Sequence, residues 1–161
     1  MNAIPHNTRL FFDASVLVAA SLSARGGSAY ILAACQQGRF RAQTSLAVIS
    51  EAHSAAAGIS TAAERALRRW IETVAWEMVP VPDATTLARY GTLVAAKDVH
   101  VLAAAAECGS EFLLTLDRRH LLAAAAAVAE AALPITILRP GDLIQRYFAS
   151  HPDGSLPTAQ P

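Results

Sequence analysis

The sequence predicts one α/β domain, a mostly parallel sheet covered by helices. Three observations predict it. Short apolar runs alternate with longer helical stretches, Gly, Pro or polar residues break them apart, and no segment repeats. A length of 161 residues corresponds to about one domain. With 53% apolar and 16% charged residues, disorder is excluded. Alanine runs such as Ala103–Ala106 and Ala123–Ala127 favour helix over an all-β fold.

Arg9-Leu10-Phe11-Phe12 reads as a strand ending at Asp13. A helix is predicted from Ala14 to about Ser23, broken at Arg25-Gly26-Gly27, and a second from Tyr30 to Gln37, stopped by Gly38. Phe40–Thr44 is a second strand, and Ser45 caps a helix to about Ala57. Thr61–Glu77 is a longer helix on which Glu64, Arg68 and Glu72, four apart, form a solvated ion-pair ladder. Val79-Pro80-Val81-Pro82 allows only a short extended piece, because proline donates nothing to a sheet. Asp83 caps a helix to about Ala96, and the next runs from Lys97 to Cys108 and stops at Gly109. Glu111–Leu116 is a strand, Asp117–Ala132 a helix, Ile135–Leu138 the last strand and Gly141–Ala149 the last helix. The folded domain is therefore expected over 1–149, with 150–161 a frayed polar tail.

Several function classes drop out. The apolar stretch Leu121–Leu133 is interrupted by Glu130 and falls short of the roughly 20 residues a bilayer needs, so no membrane span is expected. No secretory signal is visible, and Cys35 and Cys108 read as small buried hydrophobes in a reducing, cytoplasmic setting. Thirteen basic residues balance thirteen acidic ones, so contact with nucleic acid has to come from a local patch. There is no phosphate-cradling G-x-x-x-x-G-K, no G-x-G-x-x-G and no G-x-S-x-G. The dehalogenase-type phosphatase pattern wants a second Asp two residues after Asp13, where Ser15 stands. The histidines lack zinc-site spacing and read as rim or surface residues. Leu22–Ile31 and Thr61–Trp76 carry apolar residues, Trp70 and Trp76 among them, beyond what the core absorbs, so a homodimer through one of these surfaces is expected.

The acids carry the chemistry. Asp13 and Asp117 each follow a strand, the position at which open α/β sheets hold their ligands, although aspartate there also serves as a helix cap. Glu51 has Ala47, Val48 and Ala55 one turn away, which predicts a carboxylate on an inward apolar face. Asp98 heads a stripe continued by Val101 and Leu102, with capping an equal alternative. Four such acids at one sheet edge repel unless cations bridge them, and hard oxygen ligands select Mg²⁺ or Mn²⁺. Metal held by acids, without a nucleophile, points to phosphodiester hydrolysis by metal-activated water.

Phe11-Phe12-Asp13-Ala14-Ser15-Val16-Leu17-Val18, Ile49-Ser50-Glu51, Lys97-Asp98-Val99-His100-Val101-Leu102-Ala103-Ala104-Ala105 and Leu113-Leu114-Thr115-Leu116-Asp117 follow one another in an order and spacing that resembles the PIN-domain family. In particular the chain is similar to bacterial PIN proteins that act as toxins of VapC-like toxin–antitoxin pairs. The resemblance implies a three-layer α/β/α sandwich around a five-stranded parallel sheet. It also implies an Mg²⁺- or Mn²⁺-dependent endoribonuclease with Asp13, Glu51, Asp98 and Asp117 as catalytic and metal-binding acids. Thr115 matches the family's small polar residue near the last acid. Members often dimerise, and a cognate antitoxin inhibits the toxins by entering the acidic groove.

Two departures stand out: Ala14-Ser15 follows Asp13 where Thr-Asn is common, and Arg118-Arg119-His120 follow Asp117 where some members carry a further acid. Fewer acids imply one metal at rest and a second arriving with substrate. RNA contact is assigned to Ser15, Thr115, Arg118 and Arg119, whereas Arg65, Arg68 and Arg69 read as a solvated face. The alternative is a catalytically weak PIN-fold module that binds RNA or protein, which a neighbouring antitoxin-like reading frame would argue against.

Overall fold

The computed structural model describes residues 4–151. Five strands form one all-parallel sheet: β1 (Arg9–Phe12), β2 (Arg41–Thr44), β3 (Trp76–Met78), β4 (Phe112–Leu114) and β5 (Thr136–Leu138). Their order is β3-β2-β1-β4-β5. The chain thus builds outward from β1 in one direction, then returns to lay β4 on its other side. That reversal opens a crevice at the carboxyl ends of β1 and β4. As the central strand, β1 is covered on both faces, which is why Leu10, Phe11 and Phe12 are all buried and the run shows no polar alternation.

Helices α1 (Ala14–Leu22), α2 (Gly27–Gln36), α3 (Leu46–Ile59) and α4 (Thr61–Thr73) pack on one another, and α8 (Pro140–Ser150) joins them through α2. A second group comprises α5 (Ala84–Tyr90) against α6 (Val99–Glu107), with α7 (Ala125–Glu130) beside β5. Helix α2 ends with Gly38 at φ +73° and Arg39 N–H donating to the Ala34 carbonyl at 2.9 Å. The end of α6 repeats this with Gly109 at φ +69° and Ser110 N–H on Ala105 at 3.0 Å. Both are left-handed closures that glycine adopts without a steric penalty.

Several expected boundaries move. The helix predicted to reach Glu77 stops at Thr73, and the third strand is Trp76–Met78 instead of the extended piece expected at Val79-Pro80-Val81-Pro82. Trp76 packs edge-on against Phe12 at 5.4 Å, so the indole is worth more against the sheet than on a helix flank. Val79 N–H still reaches the Thr44 carbonyl at 2.9 Å, and Pro80 then ends the ladder. The helix predicted to Ala96 closes at Tyr90. Ala96–Asp98 form a turn of 3₁₀ helix ahead of α6, and only Ala125–Glu130 of the predicted Asp117–Ala132 helix is α-helical. Trp70 and Trp76 are half-buried, with each indole N–H donating to a carbonyl, Ala20 and Trp70 respectively, both at 3.2 Å. They are therefore packing residues, and the large apolar side chains exposed on α1–α4 are Leu22, Tyr30, Leu46 and Ile59. Cys35 is buried as expected, but Cys108 is only half-buried. The predicted tail falls almost wholly outside the described residues. No single described helix is long and apolar enough to cross a membrane.

Candidate functional site

Asp13 occupies the N-cap position of α1, yet its side chain makes no capping bond. Its Oδ2 instead accepts from Ser15 Oγ at 2.7 Å and from Thr115 Oγ1 at 2.8 Å. Those hydroxyls are themselves oriented, because Leu116 N–H donates to Ser15 Oγ at 2.9 Å and Asp117 N–H to Thr115 Oγ1 at 3.0 Å. The ends of β1 and β4 are thereby laced together around one carboxylate. A cap that was only a cap would point at its own helix.

Asp117 is held differently. Its Oδ1 accepts from the backbone N–H of Arg119 at 3.0 Å and of His120 at 3.1 Å, which leaves Oδ2 facing His120 Nδ1 at 3.1 Å. Partial burial pushes this carboxyl up, but the His120 and Arg119 bonds outweigh it and the net shift is downward. Asp98, 9% exposed, also makes no side-chain capping bond. Lys97 Nζ lies 3.2 Å from Asp98 Oδ2 and 3.7 Å from Asp117 Oδ2. Although exposed, this ammonium is held protonated: desolvation opposes that, and Asp98, Asp117 and Glu51 prevail.

Glu51 corrects one expectation. Its side chain is exposed, because Ala47, Glu51 and Ala55 form the solvent-side stripe of α3 while Val48, Ala52 and Ala56 face the core. The stripe nevertheless borders the crevice. Desolvation raises the Glu51 carboxyl, and Asp13 and Asp98 push it further, against the opposing pull of His100 and Lys97. All four acids line one hollow of about 480 Å³, with Lys97, Ser15 and an apolar wall that includes Val18, Leu22 and Ala55.

Thr115 is completely buried with its hydroxyl engaged by Asp13, so its expected contact with substrate is replaced by a role in orienting that acid. Arg118 and Arg119 are exposed and do not line the acid hollow; Arg119 borders a separate one with Thr92–Ala95, His120, Ala123 and Ala124. Sequence reasoning passed over Lys97 and His120. The signals were the Asp117–His120 spacing of three, which puts both on one face of a turn, and a lysine adjoining a buried aspartate. A larger hollow of about 630 Å³ between α1, α2 and α4 shares Leu22 with the acid site, has Arg69 as its charged wall residue and contains none of the acids.

The donor chemistry fits a divalent cation. Asp98 Oδ2 is shut off from solvent and has only ion-pair contacts, with Lys97 at 3.2 Å and His120 at 3.9 Å, and Asp98, Asp117 and His120 each bring a ligand atom to within 4.8 Å of the others. Carboxylates so gathered are stable only when positive charge is close.

The PIN domain family model matches residues 9–119, which contain all four acids. The chain belongs to the PIN-domain family. Among solved structures, this PIN domain is similar to the "Crystal Structure of PAE2754 from Pyrobaculum aerophilum", with a TM-score of 0.61 and 18% identity over 92% of this chain and 99% of that one. At that identity the likeness speaks for the fold. Comparison with curated proteins finds no significant match. PIN domains are generally nucleases that use divalent metals, and the acid hollow provides the ligands such a metal takes.

Proposed function

We propose that this PIN domain is an Mg²⁺- or Mn²⁺-dependent endoribonuclease, acting as the toxin of a toxin–antitoxin pair and working as a homodimer in the cytoplasm. The observation that carries the nuclease reading is the aim of Asp13: a carboxylate at a cap position that makes no capping bond, is held by the hydroxyls of Ser15 and Thr115, and lines the hollow with the other three acids. Asp13, Glu51, Asp98 and Asp117 are the acids that would hold the metal. A bound metal supplies a water of lowered pKa and neutralises charge on the phosphate. Ser15 and Thr115 fix Asp13 against the repulsion of its neighbours. Asp117, kept ionised by the His120 ring and by the backbone N–H groups of His120 and Arg119, stays a ligand and not an acid. Glu51, exposed and raised, is the acid best placed to exchange a proton with solvent during turnover.

The toxin role is supported by the ordered set of four motifs; a dimer is supported by Leu22, Tyr30 and Ile59, which expose apolar surface on the α1–α4 layer. The deciding experiment incubates the protein with structured and unstructured RNAs in Mg²⁺, in Mn²⁺ and in EDTA. Internal cleavage with either metal and none in EDTA is expected; intact RNA under all three conditions overturns the reading.

A further inference from the structure

His120 has no part in the acid quartet, yet it faces two members of it. Its Nδ1 is 3.1 Å from Asp117 Oδ2 and 3.9 Å from Asp98 Oδ2. Asp117 has only Oδ2 to offer there, since two backbone N–H groups hold Oδ1. Asp98 Oδ2 is shut off from solvent and meets only ionisable nitrogens, with no hydrogen bond of good geometry. Beside these atoms stands the chain's single lysine, Lys97, with Nζ 3.2 Å from one carboxylate and 3.7 Å from the other. A cation already sits where two carboxylates meet an imidazole.

We propose that Asp98, Asp117 and His120 form a mixed carboxylate–imidazole site selective for Mn²⁺ or Co²⁺ over Mg²⁺, and that the Lys97 ammonium stands in for the metal until it binds. The inference rests on the metal-dependent nuclease reading for its premise that a divalent ion belongs here. Oxygen ligands alone accept Mg²⁺ readily, whereas an imidazole nitrogen favours transition metals. Coordination through Nδ1 requires the neutral ring with its proton on Nε2. The backbone bond from His120 N–H to Asp117 Oδ1 carries the ring and that carboxylate as one unit, so both arrive at the ion together.

The test uses the full chain, stripped with chelator and dialysed. Calorimetric titration with Mg²⁺, Mn²⁺ and Co²⁺ is run on the parent, His120→Ala, His120→Asn and Lys97→Met, with pulsed electron paramagnetic resonance of the Mn²⁺ form reporting nitrogen coupling. The parent should bind Mn²⁺ and Co²⁺ at least about tenfold more tightly than Mg²⁺. Both His120 variants should lose roughly ten- to a hundredfold in Mn²⁺ and Co²⁺ affinity, together with the nitrogen coupling, while Mg²⁺ affinity changes by less than about twofold. Lys97→Met should tighten all three metals by removing the competing charge. Equal affinity of the parent for Mg²⁺ and Mn²⁺, or nitrogen coupling that survives in both His120 variants, overturns the proposal. His120-dependent binding of Mn²⁺ without RNA cleavage would sink the nuclease reading and leave this site standing; cleavage with Mg²⁺ alongside Mn²⁺ binding that ignores His120 would do the reverse.

Discussion

Thr115 Oγ1 donates to Asp13 Oδ2 across 2.8 Å, joining residues 102 apart in the chain. Both side chains are buried, and the bond ties the end of β1 to the segment that follows β4. A carboxylate desolvated in this way is stable only with its donors in place, so the pair links the site's geometry to the stability of the sheet.

Thr115→Val removes that donor with little change in shape. Asp13 is left with Ser15, and Asp117 N–H loses its acceptor. We expect a loss of about 1–3 kcal/mol in urea unfolding. Thr115→Ser, which keeps the hydroxyl, should lose less than half as much; an unchanged midpoint for the valine variant would show that the bond contributes nothing.

Asp98→Asn separates a metal ligand from a cap. The Asp98 side chain makes no capping bond, so none is lost; the variant gives up an ion pair with the exposed Lys97, which solvent screens, and removes one charge from a repelling group. In EDTA the variant should melt at or slightly above the parent. With metal at 100 times its Kd, the parent gains about 2.7 kcal/mol and the variant less, and RNA cleavage by the variant should vanish. A variant that melts well below the parent in EDTA marks Asp98 as structural.

Arg39 is 1% exposed and lies 5.0 Å from the ring centre of Phe40 and 4.5 Å from that of Tyr147. Its Nε donates to the Tyr147 hydroxyl at 3.0 Å, and among the described residues no carboxylate pairs with it. Its bulk therefore matters more than its charge. Arg39→Ala should cost about 2–4 kcal/mol by thermal or urea melt, because it opens a cavity. Arg39→Met fills most of that volume without a buried charge and should cost less than half as much. Equal losses would assign the stability to the cation instead.

Cys35 and Cys108 should differ in reactivity. Cys35 is 4% exposed and burial drives its thiol far above the ordinary range; Cys108 is also raised but half-exposed. Iodoacetamide at pH 8 should label Cys108 first and Cys35 only on unfolding, as peptide mass spectrometry will show. Rapid labelling of Cys35 in the folded protein would contradict its burial.

Much of the fold was legible because local chemistry and the final structure agree. The unbroken apolar run Leu10–Phe12 can only be a strand covered on both faces. Gly38 and Gly109 mark helix ends because few other residues tolerate their backbone angles. The misreadings lie where neighbours distant in sequence decide. Trp76 left its helix for Phe12, and the residues after Asp117 gave up regular helix in the turn that carries His120. Glu51 was legible as an anomaly, but its stripe of small residues faces the crevice and not the core.

By itself, the sequence determined the parallel α/β architecture and the family, and it singled out four candidate acids, since these follow from apolar run length, helix punctuation and ordered motifs. Only the tertiary structure decided what each acid faces. The strand order sets β4 beside β1, which brings Thr115 to Asp13, and the folded chain brings Lys97 to Asp117 and His120 to Asp98. A carboxylate's role depends on donors, charges and solvent within a few ångströms, and many of those are supplied by residues distant along the chain.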